Sequence, residues 1–102
     1  MANLIKIAET KDVRPGTSAA FEVAGQSIAL FNIGGSFFAI DDTCPHSGGP
    51  LSQGRVEGGK VTCPWHEADF DVSTGKVLCG PAFEDVTSYK VVVEGNEIKV
   101  EI

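Results

Sequence analysis

The C-terminal stretch alternates: Ile98, Val100 and Ile102 fall on one side of an extended chain, and Glu97, Lys99 and Glu101 on the other. A period of two marks a half-buried strand, because successive side chains of an extended backbone point to opposite faces. Tyr89, Val91 and Val93 repeat that spacing upstream, with Gly95-Asn96 between the two runs. Such a pair between alternating segments predicts a two-residue hairpin, since the primed turns that match strand twist need positive φ. Gly34-Gly35 makes the same prediction between residues 27–33 and 36–41, Gly58-Gly59 between residues 55–57 and 60–63, and Gly25-Gln26 more weakly. Helical periodicity is nearly absent; residues 10–13 allow one turn before Arg14-Pro15-Gly16 stops it. Four hairpin signals in 102 residues predict an all-β, antiparallel fold with one domain over residues 1–102.

Two segments break this rhythm, residues 43–51 (TCPHSGGPL) and 62–74 (TCPWHEADFDVST). Between them they hold both histidines and two of the three cysteines, as Cys44-x-His46 and Cys63-x-x-His66. Thiolate and imidazole are the side chains that bind borderline-soft metals well. Pro45 and Pro64, each following a cysteine, fix φ and remove an N–H, which stiffens the loops. Gly48 and Gly49 allow close backbone approach. Two matched Cys/His pairs predict a metal centre held by Cys44, His46, Cys63 and His66, a staple from which a small domain gains. Spacing alone admits a tetrahedral zinc site, although zinc pairs commonly join like ligands. Here each loop mixes the two types.

A formal net charge of −6 offers no basic patch to neutralise phosphates, so nucleic acid is not an expected partner. The charge suits docking onto a basic protein surface, and equally suits solubility alone. No run approaches 18 apolar residues, and residues 1–13 carry Lys6, Glu9, Lys11 and Asp12 rather than an apolar leader core. A cytoplasmic protein without a membrane segment is therefore expected. In that setting the cysteines point to metal chemistry rather than a disulfide framework.

Cys44-Pro45-His46 together with Cys63-Pro64-Trp65-His66 resembles the Rieske iron–sulfur family. The likeness continues through Gly49-Pro50-Leu51, Phe70-Asp71, Thr74-Gly75, Cys79-Gly80-Pro81-Ala82, Tyr89-Lys90-Val91 and residues 95–98, so it covers nearly the whole chain. It implies a [2Fe–2S] cluster with two cysteines on one iron and two histidines on the other. It also implies a sandwich of small antiparallel sheets with a cluster-binding subdomain at about residues 43–82. In that subdomain the loop at Cys79–Ala82 covers the cluster, and each histidine binds through Nδ1 with Nε2 at the surface. Respiratory members add a disulfide whose positions correspond to Gly49 and Trp65, and hydroxyls whose positions correspond to Ala68 and Phe70. Lacking hydrogen bonds to sulfur, the reduced state is less stabilised, and a midpoint on the order of −150 mV is expected.

The remaining residues carry plainer expectations. Cys79 reads first as a small residue packed under the cluster loops, with an alternative ligand and a redox thiol as the other readings. Trp65 reads either as packing on the first loop or as a partner contact. Glu67 replaces the glycine common at its place, and Asp41, Asp42, Glu67 and Asp69 read as solvated charge. With both histidines on the cluster, none remain for a mononuclear two-His-one-carboxylate iron, and no GxGxxG fingerprint exists. No catalytic residue is expected. The resemblance implies a monomeric one-electron carrier between a flavin-dependent NAD(P)H reductase and a terminal oxygenase of the aromatic-ring dioxygenase type. The small Rieske subunit of an NAD(P)H nitrite reductase and a zinc-stabilised interaction module stay open as alternatives.

Overall fold

A computed structural model describes residues 3–43, 48–65, 68–79 and 84–102, with the side chain of Cys79 left out. Eleven strands lie among the described residues: β1 (Leu4–Glu9), β2 (Ser18–Val23), β3 (Gln26–Ile33), β4 (Ser36–Asp41), β5 (Arg55–Glu57), β6 (Lys60–Thr62), β7 (Asp69–Asp71), β8 (Val77–Cys79), β9 (Ser88–Tyr89), β10 (Val91–Glu94) and β11 (Glu97–Glu101). Single 3₁₀ turns occupy Thr10–Asp12 and Leu51–Gln53, the first where one helical turn was expected. Among the described residues, no helix is long and apolar enough to cross a membrane.

All strand pairs are antiparallel, in three sheets ordered β1-β11-β10, β2-β3-β4-β9 and β5-β6-β7-β8. The second sheet is the middle layer. Ala29, Phe31 and Ile40 pack with Leu51, Val61, Ala68, Phe70 and Val72 on one side. Ile28, Leu30 and Ala39 pack with Ala8, Val13, Ile98 and Val100 on the other. Because both faces of β3 are covered, Ile28 through Asn32 are all buried, a continuous run rather than an alternation. Removing those apolar side chains from water is the main favourable term, about 1.5–3 kcal/mol for each large one. Asn32, the polar member, is satisfied: its amide donates to the Val13 carbonyl at 2.8 Å and its Oδ1 accepts from Gly35 N–H at 2.8 Å.

Three of the expected hairpins form where Gly34-Gly35, Gly58-Gly59 and Gly95-Asn96 stand, with all five glycines at positive φ. The fourth is displaced. Gln26 pairs with Val23, so the turn is Ala24-Gly25, and Ala24 takes φ 51. The cross-strand register outranks the alanine's aversion to the left-handed region. The alternating run Tyr89–Val93 is also divided: β9 pairs with β4, whereas β10 pairs with β11 in another sheet. Lys90 lies between them, and its carbonyl accepts from Glu101 N–H at 2.9 Å.

Candidate metal centre

The two rhythm-breaking segments are loops closed at their bases by hydrogen bonds. The first opens at Asp42, whose carbonyl accepts from Leu51 N–H at 2.6 Å and whose Oδ1 accepts from Ser52 N–H at 2.7 Å. Thr43 bridges Pro50 just inside that rung. Leu51 is fully buried, so the loop returns to the core at once. The second loop joins β6 to β7. Thr62 pairs with Asp69, its hydroxyl donating to Asp69 Oδ1 at 2.6 Å, and Cys63 N–H donates to the Ala68 carbonyl at 2.7 Å. Four residues, 64–67, remain beyond that last rung. β7 itself lies within the segment whose composition hid it.

Contact between the loops is made through two glycines. A Cβ on Gly54, at the exit of the first loop, would run into the Thr62 carbonyl and come within 2.9 Å of Val61 Cγ2. A Cβ on Gly49 would lie 3.0 Å from Cys63 Sγ and 3.0 Å from Trp65 Cγ. Sequence reading gave Gly54 no role, because its φ of −75° is open to any residue and only the tertiary approach demands glycine. Trp65 packs on the first loop and remains 59% exposed.

Cys63 is fully buried at the foot of the second loop. Cys44, His46 and His66, the other three expected ligands, lie outside the described residues, as do Glu67 and the Gly80–Ala82 part of the third loop. The backbone of Cys79 pairs with Asp69 in β8. Ala68 and Phe70, both fully buried, put apolar groups beside Cys63. A Cβ on Gly75 would run into the Val86 carbonyl, and Val86 N–H donates to the Gly75 carbonyl at 2.8 Å, so Val86 is tied to the turn that precedes β8.

Asp41, Asp42 and Asp69 are not solvated charge. Asp42 is 8% exposed and holds the base of the first loop. Asp69 accepts from Thr62 and from Lys60 Nζ at 3.4 Å. Asp41 Oδ1 accepts from the Tyr89 hydroxyl at 2.6 Å, and its Oδ2 accepts from Thr87 N–H at 3.2 Å. Burial first, and then the Asp41 carboxylate, push the Tyr89 phenol well above its ordinary value. Chain neighbours alone do not reveal these partners, which are 7 to 48 residues distant.

Residues 3–90 match the model of the Rieske [2Fe-2S] domain. The chain belongs to that family. Among Rieske relatives it is 41% identical, over 98% of its length and 94% of the other's, to a 3-phenylpropionate/cinnamic acid dioxygenase ferredoxin subunit of Shigella boydii serotype 4 (strain Sb227). It is 35% identical, over 98% and 96%, to the ferredoxin component of the naphthalene 1,2-dioxygenase/salicylate 5-hydroxylase systems of a Ralstonia species. The fold matches the ferredoxin of carbazole 1,9a-dioxygenase from Nocardioides aromaticivorans IC177 with a TM-score of 0.92 and 33% identity, covering 96% of each chain. A chain from a complex of reduced oxygenase and oxidised ferredoxin in carbazole 1,9a-dioxygenase matches at 0.88 and 31% identity, covering 95% of this chain and 91% of that one. A chain assigned as an NADH-dependent nitrite reductase small subunit from Mycobacterium tuberculosis matches at 0.88, covering 100% and 96%; at 24% identity this speaks for the fold alone.

The prosthetic group of this domain is a Rieske-type [2Fe–2S] cluster, and the described part of the site fits it. A thiol is set at the foot of one loop, apolar residues line its side, and glycine lets the other loop reach the sulfur.

Proposed function

We propose that the chain is a Rieske ferredoxin, a one-electron carrier between a flavin-dependent NAD(P)H reductase and a terminal oxygenase of the aromatic-ring dioxygenase type. The observation that carries this reading is the 41% identity to a dioxygenase ferredoxin subunit over nearly the full length of both chains. The relatives named as ferredoxins support it, since this chain matches 94%, 96% and 96% of their own lengths. When bound, the cluster supplies reversible one-electron chemistry between ferric and ferrous iron.

Cys44 and Cys63 hold one iron in this reading, and His46 and His66 the other, one Cys/His pair from each loop. Residues 1–102 form one domain, of which about 43–82 are the cluster-binding part. Hydrogen bonds close the bases of both loops, and in the second the closing bond is made by Cys63 N–H itself. Ala68 and Phe70 offer the sulfurs no hydroxyl, which keeps the midpoint at the low end of the Rieske range, on the order of −150 mV. The working protein is a cytoplasmic monomer that presents its cluster end to each partner in turn.

Redox titration with low-temperature EPR tests this. A reversible one-electron signal near −150 mV with the low average g of a histidine-ligated cluster is expected. Cys63→Ser and His66→Ala should each abolish it. A strongly positive midpoint would overturn the low-potential argument. Colourless, redox-silent protein containing zinc would overturn the carrier reading, and stable co-purification with a large reductase subunit would favour the nitrite reductase assignment.

A further inference from the structure

Gly49 is buried, and its φ lies outside the left-handed region, so its backbone conformation is open to any residue. What calls for glycine is space. The position its Cβ would take is 3.0 Å from Cys63 Sγ, 3.0 Å from Trp65 Cγ and 3.1 Å from Trp65 Cδ2. Sulfur and indole therefore crowd the same small volume above the bare Cα of the first loop. Trp65 is held there while 59% of its surface stays open to solvent, so one part of the ring covers the loop junction and the rest forms the outer surface. Cys63 beneath it is fully buried.

We infer that Trp65 is a positioning residue for the cluster: seated on Gly49, its indole clasps the two ligand loops without a covalent bond and keeps water from the Cys63 sulfur. This rests on Cys63 being a ligand. An indole does this work differently from a covalent tie. It resists separation of the loops by dispersion and apolar burial, which are individually weak and reversible. It also fixes the solvent exposure of a ligand sulfur, one of the quantities that sets a cluster's potential. Admitting water to that sulfur favours the more negatively charged reduced state, so removing the ring raises the midpoint.

The test compares wild-type, Trp65→Phe, Trp65→Leu, Trp65→Ala, Gly49→Ala and the double variant G49A/W65A as cluster-loaded proteins. Bleaching of the visible absorbance under a chelator, the midpoint potential and the EPR g values are recorded. W65A is expected to bleach at least tenfold faster. Its reduction equilibrium should shift at least threefold toward the reduced form, about 28 mV at 59 mV per tenfold. W65F, which keeps a ring at Cγ, should stay within twofold of wild type on both scales. G49A should cost less in the W65A background than in wild type, because the ring no longer contends for the added methyl's space.

Should W65A hold no cluster, W65L decides, with the same upward shift expected beside an unshifted W65F. Wild-type behaviour of W65A, or equal damage from W65F and W65A, would overturn the clasp. So would faster bleaching with an unmoved potential and unchanged g values, which would reduce Trp65 to a packing residue. Wild-type protein without a Rieske signal would overturn the ligand assignment itself, before any variant is compared.

Discussion

Asp42→Ala removes one carboxylate from the base of the first ligand loop. The side chain is 8% exposed, and its Oδ1 accepts from Ser52 N–H at 2.7 Å; the backbone bond from Leu51 N–H to the Asp42 carbonyl survives the change. A hydrogen bond to a charged acceptor contributes about 1.5–3 kcal/mol, and the truncation leaves the Ser52 donor without its partner. Relief from burying a carboxylate offsets part of this, so a net loss of about 2 kcal/mol is expected. At about 2.1 cal/mol/K per residue, that lowers Tm by about 10 °C in a chain of 102 residues. If cluster release proceeds by local opening of this loop, the same 2 kcal/mol raises the open population about thirtyfold. The assay is loss of visible absorbance under excess chelator, beside thermal unfolding followed by circular dichroism. Asp71→Ala is the control. Its Oδ1 likewise accepts from Ser73 N–H at 2.8 Å, Ser73 Oγ at 2.6 Å and Thr74 N–H at 3.3 Å, but at the last residue of β7, where the chain enters an exposed turn. Asp71→Ala should leave release unchanged. Release from Asp42→Ala within threefold of wild type, or equal acceleration by Asp71→Ala, would refute the reasoning.

Tyr89→Phe should flatten the alkaline limb of stability. The folded protein holds the phenol protonated, so the stability this brings is complete below the ordinary value near pH 10 and drains away as pH rises through the raised one. Tm measured across that range should fall for wild type and fall less for the variant. Ala24→Gly should stabilise by about 0.5–1 kcal/mol, because a residue with a Cβ at φ 51 is strained and glycine is not. A Tm that drops instead would show that the turn carries no such strain. Phe70→Tyr places a hydroxyl at a fully buried position in the apolar cluster that contains Cys63. A redox titration should show the midpoint moving upward, and a fixed or lower midpoint counts against hydrogen bonding to sulfur as the cause of the low potential.

The alternation at residues 97–102, the glycine pairs at 34–35 and 58–59 and the Gly-Asn pair at 95–96 sufficed to identify antiparallel hairpins, because strand period and positive-φ turns are local properties. The paired Cys/His motif was legible for the same reason, since ligand type and loop stiffness are written in a few adjacent residues. Assignment of strands to sheets was not local. Tyr89 and Val91 share one alternating run yet serve different sheets, and only the pairing of Tyr89 with Ala39 and of Val91 with Val100 separates them. Ile28–Asn32 became a doubly buried run because layers closed on both sides of β3. The same holds at the site. Asp42 reads as a surface charge until Ser52 folds back upon it, and Gly54 as a loop glycine until Thr62 arrives against it. The sequence by itself determined the chemistry of the loops and the antiparallel character of the chain, whereas close approach between distant residues, which no local pattern encodes, decided how those loops are closed and clasped.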